Sequence, residues 1–226
     1  VAVTWDVTSR ALPRKDSTAG VWVRVDRVIE WGAIVGAVQD NGNYEKGWLL
    51  GFRKNQFCFA VKSAGGKKLT YLTASQTFEP GRWYHVAGTY DGAKMTVYVD
   101  GRAVGTSTEQ SGAIDYPPRA FYDLGAYHDD NEFHKITGAI HDVRVYKRAL
   151  KAAEVQAAFK ATTPPGAPEP PVPAQAAPPE ADPFSQPSPF PNDARTKACE
   201  TAAERTVKPS KVRQGLCLGI AAGARR

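Results

Sequence analysis

The chain has 226 residues, a formal charge of +6 and 17 prolines. Twelve of those prolines fall between Pro164 and Pro191; such a stretch cannot build a packed core, which confines the folded part to residues 1–160. No apolar run approaches the roughly 18 residues of a membrane-spanning helix, and eight Lys/Arg against three Asp/Glu put +5 of the charge in residues 193–226, leaving a near-neutral body unsuited to nucleic acid.

In chain order, the body reads as strands. Residues 1–16 show no clear first strand. Val21-Trp22-Val23-Arg24-Val25 is a β-branched run bounded by Gly20 and Asp26. Residues 33–38, 48–52, 57–61 and 69–72 follow, with Gly, Asn, Asp or Lys in the gaps, as turns require. Residues 83–90 and 94–99 are strand-like and are followed by Asp91-Gly92 and Asp100-Gly101. Asp-Gly between alternating runs is a strong hairpin signal, because the glycine accepts the positive φ of the turn. Two in succession predict an antiparallel meander, with Met95, Val97 and Val99 on one face.

Residues 121–125 and 140–146 complete the strands. In the latter, strict alternation sets Ile140, Asp142, Arg144 and Tyr146 against His141, Val143 and Val145. Residues 149–159 form the one good helix, with Leu150, Ala153, Val155 and Ala157 as its apolar stripe. Ten or eleven short strands and a terminal helix predict an all-β, antiparallel two-sheet jelly-roll sandwich. A Pro/Ala-rich linker at 161–192 and a short basic tail at 193–226 follow it. Cys58, between Phe57 and Phe59, reads as a small buried hydrophobe. Cys199 and Cys217 have no metal-ligand spacing, and a disulfide between them stays open.

Three stretches carry a family resemblance: Gly81-Arg82-Trp83-Tyr84-His85-Val86-Ala87-Gly88-Thr89-Tyr90-Asp91-Gly92, Val97-Tyr98-Val99-Asp100-Gly101-Arg102, and residues 138–150 running into Ala153-Glu154-Val155. Their order resembles the laminin-G-like domains of the concanavalin A-like lectin/glucanase superfamily. His141 stands where that family usually carries an acid. The resemblance implies a jelly-roll accessory module of an extracytoplasmic protein, whether secreted, periplasmic or on the cell surface. Its implied partner is a glycan or matrix component, with a catalytic domain tethered alongside. Opening on Val1, the chain reads as a piece of such a protein.

Two oxygen-rich loops are candidate sites. Asp40, Asn43, Asp129 and Asp130 are the residue types calcium selects, which takes six to eight oxygen ligands. Tyr44, Tyr127, His128 and Trp31 are candidates for sugar binding, which needs an aromatic face beside polar groups. Catalysis lacks its parts: the superfamily's glucanases carry Glu-x-Asp-x-x-Glu on one strand, and that spacing is absent, as is Gly-x-Ser-x-Gly. The expectation is a non-catalytic carbohydrate- or matrix-binding module. The alternatives are a structural or protein-interaction module attached to a hydrolase such as a phosphoesterase, and a glycoside hydrolase.

Overall fold

A computed structural model describes residues 1–4, 6 and 12–167. The linker beyond residue 167 and the basic tail, with Cys199 and Cys217, lie outside the described residues. In chain order the strands are β1 (Ala2–Thr4), β2 (Ser17–Arg27), β3 (Trp31–Asn41), β4 (Tyr44–Arg53), β5 (Gln56–Val61), β6 (Thr70–Thr73), β7 (Trp83–Tyr90), β8 (Met95–Val99), β9 (Arg102–Ser107), β10 (Tyr122–Leu124), β11 (Ala126–His128), β12 (Phe133–Lys135) and β13 (Thr137–Tyr146). One helix, α1 (Ala152–Ala161), follows.

Two antiparallel sheets stack. One has six strands in the order β1-β10-β3-β4-β5-β6, the other five in the order β13-β2-β7-β8-β9, and β11 and β12 form a separate hairpin. The meander over β7, β8 and β9 forms as its turn residues predict: Asp100 and Gly101 both take positive φ (49° and 74°), the pairing that matches strand twist in a two-residue turn. The 1–16 stretch does contain a strand. Ala2–Thr4 is too short to show a pattern in sequence, yet it pairs with β10 and closes that edge of the sheet.

The core lies between the sheets. Ile34, Trp48, Leu50, Phe52, Phe57 and Phe59 from the larger sheet meet Val21, Val23, Val86, Met95 and Val97 from the smaller. Phe59 presses on Gly88, where a Cβ would stand 2.2 Å from the ring. Gly88→Ala therefore overfills the core and is expected to cost about 1–3 kcal/mol of unfolding free energy, read as a lower urea midpoint at unchanged slope.

In β13 the alternation breaks. The register slips between His141 and Arg144, and Asp142 takes φ 51°. This bulge resets the phase, so Ile140, Val143 and Val145 all pack on the core. The helix starts later than its apolar stripe suggests. The Leu150 amide donates to Thr18 Oγ1 and the Lys151 amide to the Glu154 carboxylate. Lys151 is the N-cap, with extended backbone angles, and the first helical residue is Ala152.

α1 covers the outer face of the smaller sheet. There Val155, Leu150, Tyr98 and Ala87 cluster, and Phe159 meets Trp22 and His85 with ring centroids 5.4 and 5.8 Å away. Burial lowers the His85 pKa to about 4; Asp142 opposes that shift and Arg144 adds to it. The folded state thus holds a neutral ring, whereas the unfolded chain takes up a proton near pH 6.5. The contribution of His85 to stability is complete above that pH and is expected to fall by about 3 kcal/mol as pH drops from roughly 6.5 to 4. Urea titrations of the wild type and His85→Gln across that window check this, and the variant should lose this component of the slope.

Candidate functional site

At the end of the larger sheet where β3 begins and β4 ends, Arg27, Glu30, Trp31, Phe133, His134 and Lys135 line a groove of about 480 Å³. Four parts of the chain build it: the last residue of β2, the turn into β3, the first residue of β3, and β12. The hairpin of β11 and β12 brings Phe133 there by pairing Tyr127 with His134 and His128 with Phe133. Phe133 remains 52% exposed, with Lys135 Nζ 5.2 Å from its ring centroid.

Trp31 is half-buried and its ring is fixed by its neighbours. The Arg53 guanidinium lies 4.6 Å from the ring centroid and the Tyr71 ring 5.0 Å away. Arg53 in turn pairs with Glu30 at 3.4 Å, and Lys54 with the same carboxylate at 3.9 Å. The groove therefore offers two aromatic walls, imidazole and guanidinium donors, and one carboxylate acceptor. That set can stack on a sugar ring and hydrogen-bond its hydroxyls.

The structure treats the other sequence candidates differently. Tyr127 is 3% exposed and forms part of an apolar cluster with Ala33, Val38, Leu49, Cys58 and Ala60, so it is a covering residue rather than a binding one. Burial pushes its hydroxyl pKa up, with Asp129 and Asp40 adding to the effect. His128 is partly buried, stacked on Phe121 at 3.7 Å, and its Nδ1 lies 2.7 Å from the Asp123 carboxylate. Its ring serves the hairpin. Tyr44 is exposed as expected, at 41%, but it pairs with Asn41 whereas Trp31 pairs with Arg53. Along β3 that separates Tyr44 from the groove by about 30 Å.

The two oxygen-rich loops do meet, through an amide. Gln39 Nε2 donates to Asp130 Oδ1 at 3.2 Å, and the Asp130 amide donates to Gln39 Oε1 at 3.1 Å. The carboxylates face protein donors instead of one another. Tyr71 donates to Asp40 at 2.6 Å, while Asp129 accepts the Asn131 and Glu132 amides and folds its own loop. Asn43 sits on the exposed hairpin tip. Among the described residues no three His, Cys, Asp or Glu side chains group as a metal set, so the expected calcium ligands are not gathered into a cage. Cys58 is buried as anticipated, and desolvation pushes its thiol up to about 12.

Sequence reading missed Phe133 and its neighbours. The available signal was a large aromatic set between Glu132 and His134 in a polar stretch, where no core periodicity claims it.

A jelly-roll sandwich with a groove at its rim is the architecture of a lectin-like module. The chain belongs to the concanavalin A-like lectin/glucanases superfamily, whose laminin-G model matches residues 2–156. It is 33% identical over 117 residues to Pappalysin-1 of Mus musculus and 32% identical over 117 residues to that of Homo sapiens. The aligned stretch covers 47% of this chain and 7% of each relative's length. Among solved structures, the CBM40 of the Ruminococcus gnavus IT-sialidase has the same fold, with a TM-score of 0.58 and 12% identity over 70% of this chain and 95% of that one. The same module bound to α2,3-sialyllactose gives a TM-score of 0.56 and 13% identity over 70% and 92% of the two chains. No helix among the described residues is long and apolar enough to cross a membrane.

Proposed function

We propose that this chain is a non-catalytic carbohydrate- or matrix-binding module of an extracytoplasmic protein, carried beside a catalytic domain, and that it binds at the Trp31/Phe133 groove. The observation that carries the reading is the placement of Trp31 and the half-exposed Phe133 with Arg27, Glu30 and His134 around one open volume. Support also comes from the sialidase module that shares the fold, which binds a sialylated sugar. In Pappalysin-1 the matching stretch is a small part of a much longer chain, as in an accessory module.

The groove lining favours binding over hydrolysis. A retaining glycosidase needs two carboxyls about 5–5.5 Å apart, and the lining contains one, Glu30, tied to Arg53 and Lys54. The reading does not depend on calcium, because Asp40, Asn43, Asp129 and Asp130 are not among the residues that line this groove. A glycan array probed with the full chain, with and without calcium, tests the proposal. Binding to a neutral or acidic oligosaccharide that EDTA leaves intact is the expected result. An array without a single binder overturns it in favour of a protein-interaction module.

A further inference from the structure

At the opposite end of β3 and β4 lies a second groove, of about 660 Å³, lined by Tyr44, Lys46, Lys62, Lys67 and Lys68. It is continuous with a smaller one of about 390 Å³ across the loop after β5, since Lys67 and Lys68 line both. The charges here do not balance. Lys46 and Lys62 share a single carboxylate oxygen, Asp115 Oδ2, at 2.5 and 3.2 Å. Glu45, the remaining acid of the larger groove, accepts the Leu69 amide, and Glu109, the acid of the smaller one, accepts the Thr70 hydroxyl, so four lysines face three carboxylates and the excess is one positive charge. Lys67 and Lys68 are exposed and have no ion pair among the described residues.

Lys62 is the unusual member. It is 9% exposed, yet its ammonium is held at the groove by Asp115 and by the Ser63 carbonyl at 2.8 Å. Backbone bonds fix this corner: the Gly47 amide donates to the Asp115 carbonyl, the Asp115 amide to the Lys62 carbonyl, and the Lys62 amide to the Gly47 carbonyl. Beside it the Tyr44 ring stands exposed, with Lys46 Nζ 5.9 Å from its centroid. A fixed cation, three further lysines and one open aromatic face suit an anionic ring-bearing ligand.

We infer that this lysine trough is a second binding site, specific for an acidic polysaccharide whose uronate carboxylates or sulfates lie over Lys67 and Lys68 while a sugar ring rests on Tyr44. The inference rests on the carbohydrate reading above but on different residues.

The test uses the full chain and four probes: polygalacturonate for carboxylate, dextran sulfate for sulfate, dextran as the neutral control, and a DNA oligonucleotide. Affinity electrophoresis and fluorescence polarisation give Kd for the wild type, Lys67→Gln/Lys68→Gln, Tyr44→Ala and Trp31→Ala. The basic tail is present in every variant, so the difference between variants reports on the trough alone. Wild-type binding to at least one acidic polymer should weaken about tenfold between roughly 50 and 200 mM salt. The double lysine variant should lose about tenfold and Tyr44→Ala about fivefold. Trp31→Ala should leave acidic-polymer binding intact while weakening binding to the neutral oligosaccharides found on the array about thirtyfold. Which acidic polymer binds identifies the anion. Unchanged binding in the double lysine variant overturns the inference, as does equal or tighter binding of DNA, since the trough then does not select a polysaccharide. Loss of array binding alone strikes the Trp31 groove and leaves the trough standing.

Discussion

Trp31→Ala should weaken oligosaccharide binding by about 2 kcal/mol or more, close to thirtyfold in Kd, with no change in fold. Trp31 supplies one of the two aromatic walls of its groove, and its orientation is set in advance by its contacts with Arg53 and Tyr71. An anchor held in place before binding loses little freedom when the ligand arrives, so its removal forfeits nearly the whole contact. The effect should exceed that of Phe133→Ala, because Phe133 is the more exposed of the two walls. Titration calorimetry with the best array ligand reads the loss. A circular-dichroism spectrum that superimposes on the wild type shows that the sandwich is intact.

Phe59→Ala should lower unfolding free energy by about 3–5 kcal/mol. The ring is fully buried at the centre of the larger sheet, and the residue facing it is Gly88, which has no side chain to move into the space. The void therefore stays open. The same geometry predicts a particular coupling. Gly88→Ala is damaging alone because its Cβ meets the Phe59 ring, whereas in the Phe59→Ala background the added methyl refills part of the cavity. A double-mutant cycle by urea denaturation should show Gly88→Ala reversing sign between the two backgrounds.

Local chemistry was legible in the sequence, and non-local placement was not. The two Asp-Gly turns specify the β7–β9 meander through backbone preferences that need no other part of the chain. Cys58 between two phenylalanines reads as buried because strand alternation inside a hydrophobic run leaves no polar face. Tyr127 misleads for the opposite reason. Its sequence neighbours are polar, but the hairpin of β11 and β12 folds over β3 and lays the ring against Ala33 and Leu49. The β13 bulge is equally hidden, since nothing in Ile140–Tyr146 announces that Asp142 adopts positive φ. Of the candidate site, Trp31 could be picked out as an aromatic next to a turn. Phe133 and Arg27 come from strands more than a hundred positions apart, and only pairing makes them neighbours.

The clasp at Thr18 bears on how the molecule assembles in time. Its hydroxyl donates to the Arg148 carbonyl, 130 positions away, and accepts the Leu150 amide. The meander can form while the chain is still being made, and it gives β2 one neighbour early. The other flank of β2 stays open until nearly the whole body has been synthesised. Closure by β13 is thus a late, loop-limited step that places the domain among slow folders. Until it is complete, an unpaired strand edge is exposed to other chains.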